Sequence, residues 1–409
     1  MKTKIPTTLT AVLLSLNMSW ADGTDIDGIC YRLDGSRMTA SVTYTGTSPY
    51  YGNSYAGSVT IPSSVIYDNN TYAVRSIGQN AFYGCTGLAS IDIPASVTDI
   101  GEHAFFNCTA LGSIDIPASV TFIDRGAFEG CAGLTSISIP ASVTGIGYRV
   151  FRGCTSLVSI DLPASITLIN SAAFEDCTSL TSISIPASVT SIGELAFGRC
   201  TSLTSIRVDA GNTVYDSREG CNAIIETSSN KLVVGCKTTV IPTSVTFIDS
   251  GAFYCCTGLT RIDIPASVTG IGDIAFSGCT GLKSIDLPAS VTEIGKLAFS
   301  GCTGLRIFTA RRTDPEGYHC HKEAFLNSFT YIATLHVPAG CKELYMSCSP
   351  WNEFGTIIDD VTGISRNIVN TSDTPDGNPA FLGNFNLKGL RISEPQCGVY
   401  IKDGRKLMK

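Results

Sequence analysis

Residues Ile93–Asp115 read IPASVTDIGEHAFFNCTALGSID, and most of the chain restates this 23-residue phrase. Cys85, Cys108, Cys131, Cys154, Cys177 and Cys200 stand 23 residues apart, and Cys256, Cys279 and Cys302 resume the interval. Phe82, Phe105, Phe128, Phe151, Phe174 and Phe197 keep the same spacing, as do Phe253, Phe276 and Phe299. A fixed period of this length predicts a repeat solenoid, in which each coil touches only its neighbours and like residues stack into ladders.

Within one unit, Leu111-Gly-Ser-Ile114-Asp-Ile116 alternates as a short strand, with the isoleucines inward and Ser113 and Asp115 outward. Pro117 ends it, since proline has no N–H for a central ladder. Ala118, Ser119 and Val120 turn the corner, and a second short strand follows at Thr121-Phe122-Ile123. A single helical or 3₁₀ turn on the return side places Ala104, Phe105 and Cys108 inside. Ile93, Val97, Ile100, Ala104, Phe105, Cys108, Leu111 and Ile114 form the expected inward set. After the second-strand isoleucine the chain carries Gly78, Gly101, Gly147, Gly193, Gly272 or Gly295, and elsewhere Asp124, Asn170 or Asp249. These residue types tolerate a left-handed backbone, so positive φ is expected there.

The pattern breaks once, where Cys200 and Cys256 lie 56 residues apart. Asn222-Ala-Ile-Ile-Glu226 and Lys231-Leu-Val-Val-Gly235 flank Thr227-Ser-Ser-Asn230, a hairpin pattern within an enlarged coil at about 208–240. The solenoid is expected over 59–360, with an atypical cap over 22–58 because terminal coils must cover the core.

A thiol recurring once per coil reads as core packing, because free Cys is a small, commonly buried hydrophobe. Coils about 4.8 Å apart also bring neighbouring thiols within disulfide range, making a disulfide spine the competing arrangement. Side chains sharing one inward vector rarely offer a bond dihedral of about 90°, which favours reduced thiols. Cys221 and Cys236 differ. They sit symmetrically about Ser228–Ser229, where a hairpin can bring them face to face, and they form the candidate disulfide.

Lys2 and Lys4 precede an apolar stretch through Leu9, Val12, Leu13, Leu14 and Leu16, too short to span a bilayer. Ser19-Trp20-Ala21 supplies small residues for cleavage, so residues 1–21 read as a signal peptide. Its removal takes the net charge from −7 to −9. No other run is long enough for a transmembrane helix. With 28 Lys+Arg against 35 Asp+Glu, there is no basic surplus for nucleic acid. Forty-four per cent hydrophobic residues with 15% charged exclude intrinsic disorder.

Catalytic chemistry finds little material. The four histidines are His103, His319, His321 and His336. His103 occupies a variable repeat position, and His319-Cys320-His321 would project alternately, without the paired CxxC or HExxH that metal sites use. No nucleophile, base and orienting group come together, so no catalytic, cofactor or metal residue is expected. The outward strand positions carry more information. Asp92, Asp115, Ser138, Asp161, Ser184, Arg207, Asp263 and Asp286 fall at one register, beside a second row running from Ser90 to Ser284. Stacked, they form an acidic, hydroxyl-rich face. It is either a solvated face that discourages edge pairing or a binding surface for a basic or extended partner.

The unit IPASVTxIGxxAFxxCTxLTSIxIP resembles the leucine-rich repeat of the BspA-like surface proteins, the Treponema pallidum type, over roughly residues 26–360. Asp27-Gly-Ile-Cys-Tyr31, Cys221-Asn-Ala-Ile-Ile-Glu226 with Gly235-Cys236, and the ending Tyr345, Trp351, Phe354 and Ile357 match it too. The resemblance implies a right-handed leucine-rich-repeat coil with short parallel strands on one face and short helical, 3₁₀ or extended segments on the other. It also implies surface adhesion to host or neighbouring-cell proteins, with no catalytic residue to carry over; a monomer without cofactor is expected. A structural surface-layer or spacer protein is the alternative, and an exported hydrolase is a distant third.

Residues 361–383 read as a polar linker. Residues 384–409, with Gly398-Val-Tyr-Ile401-Lys-Asp-Gly404, suggest a strand pair around an Asp-Gly turn. This tail resembles C-terminal sorting modules of exported proteins from Gram-negative anaerobes, which places the chain in the medium or attached at the outer membrane.

Overall fold

The structure, a computed structural model, describes residues 23–50 and 53–361, with the backbone of four strands beyond them. The expected signal peptide and all but the first residue of the expected linker lie outside the described residues. The chain winds into a β-solenoid of about twelve turns.

Each regular coil contributes two short strands because its inward residues alternate twice and proline separates the runs. Ser113–Asp115 pairs in parallel with Ser136–Ser138, matching Ile114 to Ile137. Asp99–Ile100 and Phe122–Ile123 pair likewise, matching Ile100 to Ile123. The 23-residue period therefore equals the register, and equivalent side chains fall on top of one another. All eight expected inward residues are buried, from Ile93 at 7% exposure to Phe105 and Cys108 at 0%. The Pro117 carbonyl accepts from Val120 N at 2.9 Å, closing the corner that the proline begins.

The return side is a chain of tight turns rather than a helix. Ala104 N bonds Gly101 O at 3.2 Å and Cys108 N bonds Phe105 O at 3.1 Å, while Phe105 N reaches Ala127 O in the next coil at 2.8 Å. A helix would turn these N–H groups back along its own axis; here alternate ones are spent between coils. That arrangement needs left-handed residues, and they correct the expected slot. Gly78, Gly101, Gly147, Gly193, Gly272, Gly295, Asp124, Asn170 and Asp249 do not have positive φ. Positive φ falls two residues later, at His103 (51°), Arg149 (56°), Leu195 (55°) and Ile274 (50°), and again at Asn107, Gly130 and Asp176. The glycines have another cause, the close approach of the preceding coil. A Cβ on Gly193 would stand 2.2 Å from Ser171 N, and one on Gly272 2.6 Å from Ser250 N.

Phenylalanine rings stack along the interior, Phe82 to Phe105 at 5.2 Å and Phe151 to Phe174 at 5.4 Å, nearly parallel in both cases. All sixteen cysteines among the described residues are free thiols. The Cys131 thiol donates to Phe105 O at 3.1 Å, and Cys177 repeats this to Phe151 O at 3.1 Å. Burial pushes the Cys131 thiol up to about 12, so it stays protonated and keeps its hydrogen to donate. Near the C-terminal end the Ser328 hydroxyl takes the thiol's place and donates to Phe299 O.

The corner serines form a parallel ladder. Ser119 Oγ donates to Val97 O at 2.6 Å, Ser142 Oγ to Val120 O at 2.5 Å and Ser165 Oγ to Val143 O at 2.6 Å. Ser96 Oγ is buried with no partner. Ser142→Ala is therefore expected to lower stability by about 1 kcal/mol, and Ser96→Ala to leave it unchanged or slightly raised. Urea denaturation of the two variants checks the contrast, which equal losses would refute.

The N-terminal cap joins Thr24–Ile26, Ile29–Asp34 and Thr39–Val42 antiparallel, then adds Asn70–Ile77 in parallel to begin the solenoid. At the other end Trp351 and Tyr345, both fully buried, close the core below the helix Lys342–Ser347. In the tail, Val399–Lys402 pairs antiparallel with Arg405–Met408, matching Lys402 to Arg405. Asp403 and Gly404, the expected turn, lie outside the described residues. Asn384–Phe385 and Arg391–Ile392 extend the tail to four strands.

The enlarged coil interrupts the run of regular coils. Ala223–Glu226 and Lys231–Gly235 form the expected hairpin, but a bulge at Ile224/Ile225 shifts its register. Glu226 pairs with Lys231 and Ala223 with Gly235, so the far end is displaced by one residue. This displacement takes Cys221 and Cys236, the candidate disulfide pair, out of register with each other. A one-residue slip sends a side chain to the opposite face. Cys221 accordingly packs into the C-terminal core cluster and Cys236 into the N-terminal one. The Cys236 thiol lies 3.4 Å from Asn222 O, and both cysteines remain free.

Candidate interaction surface

The solenoid register lays the outward strand residues side by side. Thr60 pairs with Asp92, Asp115 with Ser138, and Ser138 with Asp161. Further along, Ser184 pairs with Arg207, and Asp286 with Thr309 and then His336. Asp92, Asp115, Ser138, Asp161, Ser184, Arg207, Asp263 and Asp286 are all exposed. Proline follows most of these strands, but Ser205–Val208 runs on into Asp209 and Ile307–Ala310 into Arg311.

Charge along this row is uneven. Arg311 grips Asp286 with Nε and a terminal nitrogen, at 2.7 and 2.6 Å, and Arg261 lies 2.8 Å from Asp263. His336 Nδ1 meets Asp360 at 2.8 Å. Among the described residues, Asp92, Asp115 and Asp161 have no such cation, so the free negative charge concentrates on the N-terminal coils. Uncompensated carboxylates on adjacent coils attract basic groups and repel acidic ones, an effect that salt screens.

The sequence reading passed over a second surface, on the turn side. Tyr83 and Phe106, 23 residues apart, stack at 4.5 Å, and Tyr50, 61% exposed, meets Tyr83 edge-on at 5.1 Å. His103 sits edge-on to Phe106 at 5.4 Å. Beside them Arg125 Nε bonds Glu102 at 2.6 Å, and Arg152 bridges Glu129 and Glu175 at 2.8 Å each. The spacing of Tyr83 and Phe106 was available as a signal. The aromatics were hidden because the outward positions examined lay on the strands alone. Exposed tyrosines and arginines are the side chains that most often anchor protein interfaces.

Among the described residues no helix is long and apolar enough to cross a membrane, and no group of three or more His, Cys, Asp or Glu is placed to hold a metal ion. No curated protein matches the chain. The family described as BspA type leucine rich repeat region matches residues 43–135, 122–220 and 223–349, in six copies. A leucine rich cell surface protein of Faecalibacterium prausnitzii is 27% identical, over 83% of this chain and 98% of that one, with a TM-score of 0.58. The pneumococcal vaccine antigen PcpA shares the fold at 20% identity, over 83% of this chain and 99% of its own, with a TM-score of 0.59.

Proposed function

Since the chain belongs to the BspA-type leucine-rich-repeat family, we propose that it is a non-catalytic adhesin that binds host or neighbouring-cell proteins through its extended faces. The observation that carries this reading is the row Asp92, Asp115, Ser138 and Asp161, exposed, in register and without compensating cations. An extended partner with basic side chains gains one contact per coil, so many weak contacts add up to avidity. Each contact costs little to form because the coils are already ordered. The residues of the row offer charge and hydroxyls but no base, nucleophile and orienting group together.

Display at the cell surface follows from the leader at residues 1–21, cleaved after Ala21, with residues 384–409 acting as the sorting segment. The cell-surface naming of the Faecalibacterium relative supports this placement. A panel of extracellular-matrix proteins and intact cells, presented to the mature chain, tests the reading. Saturable binding to at least one member is expected. Absence of binding across the panel would favour a structural spacer.

A further inference from the structure

The enlarged coil leaves a seam in the solenoid. Phe197 stacks on Phe174 at 5.3 Å and Phe253 on Phe276 at 5.0 Å, but the two halves of the ladder do not meet. The Ala252 carbonyl, which by the repeat would receive Phe197 N, instead accepts from Gly235 N of the hairpin at 2.8 Å. The core accordingly divides into two clusters, one on each side. A cavity of about 270 Å³ remains between residues 192–203 and 249–256, floored by the hairpin. Its walls include Leu195, Phe197, Val233 and Phe253, with Tyr254 beside them. The seam opens the core to solvent. Phe197 is 6% exposed and Cys200 and Cys256 are 8% each, where Phe105 and Cys108 are 0%.

We infer that this seam is a pocket for one basic side chain, a lysine or arginine, of a bound partner protein. The inference rests on the protein-binding reading above and names one anchor within it. Size sets the first limit. Pockets for cofactors and drug-sized ligands run to about 300–1,000 Å³, so this one takes a single side chain. Charge sets the second. Glu194 and Asp249 also line the cavity, and neither has an ion-pair partner among the described residues. The Arg199 guanidinium is held by Asp176 at 3.2 Å. Apolar and aromatic walls suit an alkyl stem, and carboxylates suit its cationic head. Arg199 N bonds Tyr254 O at 3.1 Å, joining the two halves at one end of the seam.

Saturation-transfer NMR on the mature chain tests the pocket, with N-acetyl-arginine N-methylamide and N-acetyl-norleucine N-methylamide as probes. The arginine probe is expected to bind about tenfold more tightly, as a charge-assisted contact implies. Glu194→Gln with Asp249→Asn should abolish that preference, and Leu195→Trp should abolish binding of both probes. The arginine probe should also slow iodoacetamide labelling of Cys200 and Cys256, read by peptide mass mapping. No saturation of the arginine probe, equal affinity for the two probes, or affinity unchanged in the carboxylate variant overturns the inference. The carboxylate variant alters no core residue and decides the matter even if Leu195→Trp fails to fold. Loss of the pocket with intact panel binding removes this anchor alone. Loss of panel binding with an intact pocket removes the adhesin reading instead.

Discussion

Phe151→Ala is expected to cost the protein about 3–5 kcal/mol, the range for deleting a fully buried aromatic ring. Phe151 is 0% exposed and lies between Phe128 at 5.7 Å and Phe174 at 5.4 Å, so its removal unstacks both neighbours. Its backbone N–H, bonded to Ala173 O at 2.9 Å, stays in place, so the loss reports packing rather than the turn. In a solenoid each coil depends on its two neighbours, and a cavity in the middle weakens two interfaces at once. Phe122→Ala is the control. That ring is 54% exposed, and its loss should cost below about 1 kcal/mol. Guanidinium denaturation measures both, and comparable losses would refute the ladder as the main source of stability.

Gly193→Ala is the second large effect, expected at about 1–3 kcal/mol. The added methyl would stand 2.2 Å from Ser171 N and 2.7 Å from the Asn170 carbonyl carbon, and backbone atoms cannot swing aside as a side chain can. Two coils must separate locally to admit it. Gly112→Ala meets no heavy atom within 4 Å and has no positive φ, so it should be neutral or stabilising by up to about 1 kcal/mol. Thermal unfolding of the pair distinguishes close approach from backbone conformation as the reason for glycine. Tolerance of alanine at position 193 would contradict the close packing of successive coils.

Glycine at that slot shows where the reading of the sequence stopped. A glycine has two separate uses, a left-handed backbone and the absence of a Cβ, and composition does not distinguish them. The left-handed residues were invisible for the converse reason. Arg149 and Ile274 have no preference for positive φ, and it accompanies their inter-coil hydrogen bonds, Arg149 N to Ser171 O and Ile274 N to Lys296 O. By contrast, the inward set from Ile93 to Ile114 was legible, because period and register coincide and every coil repeats the same statement. The placement of Cys221 and Cys236 in different core clusters was not legible, because the sequence displays the symmetry of the hairpin and hides its bulge. The bulge at Ile224/Ile225 shifts the register without any mark in the local pattern. At the surface, the acidic row followed from alternation alone. The Tyr83–Phe106 stack required knowing that the return side is made of turns presenting every 23rd side chain outward.

If partners dock on the uncompensated carboxylates of the N-terminal coils, removing those charges weakens binding. The most direct measurement takes the panel protein that binds best and compares the mature chain with the triple variant Asp92→Asn, Asp115→Asn and Asp161→Asn, at low and at physiological salt. These side chains are exposed, so folding should be unaffected. A loss of affinity of about tenfold or more is expected, together with a weaker dependence on salt. Equal affinity and equal salt dependence for the two proteins would contradict it.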